Sequence, residues 1–110
     1  MIPLKITIDL ATATETRLLY VGKEYITPVS GSFQFNAVAF EEDAVPTGTV
    51  DVYISNDSDA APQKIGTIDL STKEVGWCNI NVPFLLVKFV VTTVSVTGSV
   101  IMYGRFSESR

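Results

Sequence analysis

An all-β domain is the fold class this sequence predicts, and three observations predict it. Val, Ile, Thr, Phe, Tyr and Trp together make up 46 of the 110 residues, the β-branched and aromatic set that suits a pleated, half-buried surface. No stretch repeats apolar residues at i, i+3, i+4 and i+7 over three turns, so no amphipathic helix is expected. Turn signals punctuate the chain about every ten residues, the spacing of a sandwich or barrel. The strands differ too much in length and polarity for a uniform barrel wall. The expectation is a two-sheet antiparallel β-sandwich, jelly-roll-like, of about eight strands. It forms a single domain over residues 1–110, with a polar tail at 107–110. A chain of this length removes roughly two thirds of its unfolded surface from water and needs neither disulfide nor metal.

Along the chain, Leu4, Ile6, Ile8 and Leu10 share one parity and Lys5, Thr7 and Asp9 the other, the clearest half-buried strand. Residues 11–16 are more polar and suit an edge. Residues 17–21 and 24–27 flank Gly22-Lys23, which reads as a tight hairpin turn. Residues 28–31 read as a turn and 32–40 as the next strand. There Phe33 and Phe35 oppose Val38 and Phe40, so that strand is buried on both faces or bulged near Asn36. Residues 41–48 form an acidic loop. Residues 49–55 alternate, with Val50, Val52 and Ile54 inward and Thr49, Asp51 and Tyr53 outward.

Residues 56–62 are the most exposed loop by composition. Residues 64–70 are a strand weakened by Gly66, and 71–76 a turn. Residues 77–82 alternate again, with Cys78, Ile80 and Val82 opposed to Trp77, Asn79 and Asn81. Pro83 interrupts the ladder, having no N–H to donate. Residues 84–93 are apolar on both faces apart from Lys88, the pattern of a central strand. Residues 94–97 connect to the last strand, 98–106.

Composition excludes much chemistry. There is no histidine and one cysteine, so Ser-His-Asp and Cys-His nucleophiles, His-bearing zinc sites and an internal disulfide are ruled out. The acidic clusters Glu41-Glu42-Asp43 and Asn56-Asp57-Ser58-Asp59 lack the glycine and closing glutamate of a calcium loop, and read as solvated loops. A chain this short leaves little room for a glycosidase cleft, and no glycine cluster cradles phosphate. No enzymatic activity, catalytic residue, metal or cofactor is expected. Cys78, in phase with Ile80 and Val82, reads as a small buried hydrophobe rather than a reactive thiol.

The formal net charge of -4 argues against nucleic acid or an anionic membrane as the partner. The first ten residues already alternate as a strand and lack the pattern of a secretory signal, so synthesis in a cytoplasm is expected. The Asn56-Asp57-Ser58 glycosylation acceptor would then be inert. The longest apolar run, residues 82–87, is far too short to span a bilayer.

Charge is unevenly spread. Residues 41–74 hold eight acids against two bases, whereas between Val75 and Gly104 the only charge is Lys88. Such a stretch is either two ordinary central strands or partly a surface that lies against another chain. Trp77 falls on the more polar side of its strand. There it either caps the core edge, makes a protein contact or serves as a sugar-stacking platform.

The run Thr47-Gly-Thr-Val-Asp-Val-Tyr-Ile-Ser-Asn-Asp57 resembles a TGTVxVxxSND pattern of small β-sandwich structural proteins of tailed bacteriophages. Downstream, Pro83-Phe-Leu-Leu-Val-Lys-Phe-Val-Val91 and the segment to Gly104 resemble their aromatic-apolar strand and closing hairpin, with Val96 where a glycine stands in the pattern. The likeness covers residues 47–106. It implies a capsid decoration protein that binds the outside of the shell and clamps neighbouring major capsid subunits, as a dimer or trimer on the virion exterior. The expected interface residues are Ile2 and Leu4 at the N-terminus, Trp77, Phe84, Tyr103 and Arg105, and Phe106 with Arg110 near the C-terminus. A carbohydrate- or receptor-binding module, or a tail or baseplate component, is the alternative.

Overall fold

The structure is a computed structural model and describes residues 2–11, 15–18, 29–39, 48–56, 59–70, 75–93 and 98–108. Eight strands cross these residues: β1 (Ile2–Asp9), β2 (Glu15–Leu18), β3 (Val29–Ala39), β4 (Thr49–Ser55), β5 (Gln63–Asp69), β6 (Val75–Phe84), β7 (Leu86–Thr93) and β8 (Gly98–Glu108). They form two four-stranded sheets, ordered β1-β8-β3-β6 and β2-β7-β4-β5. Every pair is antiparallel.

The pairing has a simple logic. β1 pairs with β8, β2 with β7, β3 with β6 and β4 with β5. The first half of the chain therefore runs back along the second half as one double ribbon. The β3–β8 and β4–β7 pairs then roll that ribbon into two facing sheets. This is jelly-roll connectivity, the kind of sandwich expected from the sequence, with a strand order that was not legible there.

Alternation in β1 and β4 sets the core as read from the sequence. Ile8, Leu10, Val50 and Val52 are buried, and Leu4, Ile6 and Ile54 pack partly against them. Phe33 stands at the centre. Its ring meets Phe89 of the opposite sheet edge-to-face at 5.1 Å and Phe106 at 4.9 Å, and Phe106 meets Phe84 at 5.5 Å. Edge-to-face pairs contribute about 0.5–1.5 kcal/mol each beyond their buried area.

Phe84 and Phe106 are thus wholly buried core residues, not the interface residues they were expected to be. The reason is parity. Phe106 shares the inward face of β8 with Val100 and Met102, and Phe84 closes the core where β6 ends.

Several local expectations are corrected. Residues 29–31 belong to β3 rather than to a turn, and Val29 is buried. Gly31 gave the turn signal, but it is there for close approach. A Cβ on it would overlap the Arg105 carbonyl of β8. The irregularity of β3 falls between Val29 and Gly31, not near Asn36, and Val38 faces outward. The strand expected at 84–93 begins at Leu86. Leu85 alone links β6 in one sheet to β7 in the other, its N–H donating to the Ser55 carbonyl at 3.1 Å. β8 continues through Ser107 and Glu108, so the polar tail is shorter than expected. The expected hairpin at Gly22-Lys23 and the loop at 41–47 lie outside the described residues.

Asp51 was expected to face outward. It does, yet it is buried to 7% exposure between its neighbours. The Thr67 hydroxyl, directly opposite on β5, donates to its Oδ1 at 2.8 Å, and Lys64 Nζ lies 3.4 Å from the same oxygen. Pairing in this way is what permits a carboxylate at so dry a position.

Candidate protein-docking face

The outer face of the β1-β8-β3-β6 sheet is set by register. Lys5, Tyr103, Gln34 and Trp77 align in one row across the four strands. Thr7, Ile101, Asn36 and Val75 form a neighbouring row, and Arg105, Ser32 and Asn79 flank the first on its other side. Adjacent strands stand about 4.8 Å apart, so each row is a short ladder of neighbouring positions on one face. Lys5 Nζ lies 5.7 Å from the Tyr103 ring centroid, and Arg105 donates to the Gly104 carbonyl at 2.9 Å. The face thus carries its charges, Lys5, Arg105 and Asp9, on its β1–β8 side and neutral side chains in these rows on its β3–β6 side.

At the far end of these rows, β6 is an edge strand, with β3 on one side and no strand beyond it among the described residues. From Val75 to Phe84 it bears no charge. Trp77 is 65% exposed, and Val75 and Val82 also stand in solvent. Edge strands are ordinarily guarded by lysine, proline or a bulge. The neighbouring edge strand β5 follows that rule. It carries Lys64, and Ile65 is an extra residue between the pairs Val52–Gly66 and Tyr53–Lys64. In β6 the guard is Pro83, at its end, where the β3 pairing slips between Ile80 and Phe84. That slip also explains Val82, which was expected inward and is exposed.

Between β5 and β6 the seam of the sandwich opens into a groove. One part of it, about 350 Å³, lies between Ile65 and Thr67 on one side and Trp77 and Cys78 on the other. Ile65 continues it towards Ile80, and Ile54 and Val82 carry it on to Ala60 and Pro83. Of the five exposed large hydrophobics among the described residues, all but Val38 lie on β5 or β6. Neither a family model nor a curated protein sequence matches this chain.

The remaining expected interface residues divide. Trp77 of β6 does share one face with Tyr103 and Arg105 of β8, Tyr103 being half-buried and Arg105 exposed. Leu4 is half-buried on the inner face of β1. Ile2 pairs by backbone with Phe106, its side chain lying outside the described residues, as does Arg110 altogether. Sequence reasoning missed Val75, placed in a turn, and Gln34, whose place beside Trp77 is a matter of register alone. Among the described residues no group of three acidic or cysteine side chains is placed to hold a metal ion. Cys78 is partly buried against the core, and desolvation pushes its thiol above the ordinary value.

Proposed function

We propose that this protein is a non-enzymatic virion component that decorates the outer surface of a tailed-phage shell and clamps neighbouring major capsid subunits. One observation carries the proposal: the uncharged free edge of β6, with Trp77, Val75 and Val82 exposed along it. The resemblance of residues 47–106 supplies the kind of partner. A clamp needs binding energy and no chemistry. An exposed tryptophan beside an uncharged strand edge, guarded only at its Pro83 end, provides both a hot-spot anchor and main-chain hydrogen bonds. Many copies on one shell then act through multivalency.

A second reading has its own observation. Trp77 is surrounded by neutral amide and hydroxyl groups, those of Gln34, Asn36, Asn79 and Ser32, which are also suited to sugar hydroxyls. One pair of measurements separates the two. Purified shells stripped of the protein are expected to rebind it with icosahedral stoichiometry. Trp77→Ala is expected to weaken that rebinding about thirtyfold, as hot-spot loss does. Stoichiometric shell binding unchanged by Trp77→Ala, or no shell binding at all, overturns the proposal. Trp77-dependent binding to a glycan array without shell binding establishes the second reading.

A further inference from the structure

We infer that the opposite edge of the same sheet, the free edge of β1, joins two copies of this chain in an antiparallel pair centred on Thr7. The inference does not depend on what the β6 edge binds.

Backbone phase comes first. The Leu10 N–H donates to the Gly98 carbonyl at 3.4 Å, continuing the register that opposes Ile8 to Val100. Bonded and non-bonded pairs alternate along an antiparallel ladder. The even-numbered residues of β1 therefore turn their N–H and C=O groups towards β8, and the odd-numbered ones turn theirs to the free edge. Pro3 agrees with this phase. Its missing N–H falls on the outer side and costs the β1–β8 ladder nothing. Lys5, Thr7 and Asp9 then present main-chain groups to a partner, and their side chains are exposed on the outer face.

Charge selects the register. A hydrogen-bonded pair of β1 strands must oppose odd residues to odd residues. Centring the two-fold on Lys5 or on Asp9 brings like charges together, which is destabilising, and centring it on Ile6 or Ile8 opposes Lys5 or Asp9 to the neutral Thr7 and gains no ion pair. Centring it on Thr7 opposes Lys5 to Asp9 of the partner subunit and Asp9 to Lys5 of the partner subunit. An isologous contact needs this self-complementarity. On the inner face Leu4 and Ile6 are only half-buried and lie along the same edge, whereas Ile8 and Leu10 are already buried within the subunit. The β6 edge, bearing no charge from Val75 to Phe84, offers no such selection between registers. Among the described residues no strand covers the outer side of β1.

Sedimentation velocity on the full chain tests this, with circular dichroism confirming the fold of each variant. The wild type is expected as a dimer. Lys5→Asp alone and Asp9→Lys alone each place like charges across the two-fold, and should raise the dimer dissociation constant at least about tenfold. The double variant Lys5→Asp with Asp9→Lys restores both pairs and should restore the dimer. Thr7→Cys should cross-link to a covalent dimer on oxidation, because a hydrogen-bonded antiparallel pair places its Cα atoms about 5.5 Å apart, within disulfide reach. A monomeric wild type, a single reversal that leaves the dimer intact, a double reversal that stays monomeric, or a Thr7→Cys variant that does not cross-link overturns the inference. None of these readouts involves a shell, so their outcome is separate from that of the shell-binding proposal.

Discussion

Phe33 and Trp77 show how differently two large aromatics can be used one strand apart. Phe33 is fully buried and touches rings from both sheets. Phe33→Ala should destabilise the fold by about 3–5 kcal/mol, the usual cost of removing a buried ring, measured by urea unfolding. A loss below about 1 kcal/mol would contradict its central place. Cys78 makes a subtler prediction. Burial disfavours its thiolate, so its folded value lies above the unfolded one. A raised value stabilises the fold below the ordinary thiol range and loses that contribution as pH climbs through the folded value. Stability should therefore be insensitive to this group at neutral pH and should fall on the alkaline side. Cys78→Ala should flatten that alkaline limb in a series of unfolding curves.

At the scale of the element, β3 is held in register by aromatic rings lying over glycines. Phe33 is opposite Gly104 of β8, and Phe35 is opposite Gly76 of β6. A Cβ on Gly104 would come within 3.0 Å of the Phe33 ring and closer still to Phe106, and one on Gly76 would meet Phe35 at 2.7 Å. Gly104→Val should overpack the core and cost about 1–3 kcal/mol, read as a drop in the unfolding midpoint. A neutral result would mean the rings can move aside. The alternation in β1 and β4 was legible in the sequence because each has one wet face and one dry face. The parity of β6 was legible only as far as Ile80. Beyond it the slip at Pro83 and the one-residue crossing at Leu85 turn the chain into the other sheet, and Val82 and Phe84 change places relative to the expectation. Trp77 was legible as a residue of the more polar side of its strand, whereas its place on one face with Tyr103 and Arg105 of β8 needed the β3 strand between them.

The whole molecule is a ribbon closed end to end. Ile2 lies opposite Phe106, and every strand of the first half waits for one from the second. Such non-local pairing must pay loop-closure entropy before contacts repay it, so refolding should take milliseconds to seconds. Stopped-flow circular dichroism checks this, and a microsecond phase carrying the full amplitude would refute it. What the sequence by itself determined is the all-β class, the inward residues of its regular strands and the exclusion of histidine chemistry, since those depend on residue type and on a period of two. Only the tertiary structure decided that β6 and β1 are edges, that Phe84 and Phe106 are core, and that an uncharged strand carries its tryptophan into solvent. Whether a strand is an edge depends on which distant segment supplies its hydrogen bonds, and no local pattern of side chains records that.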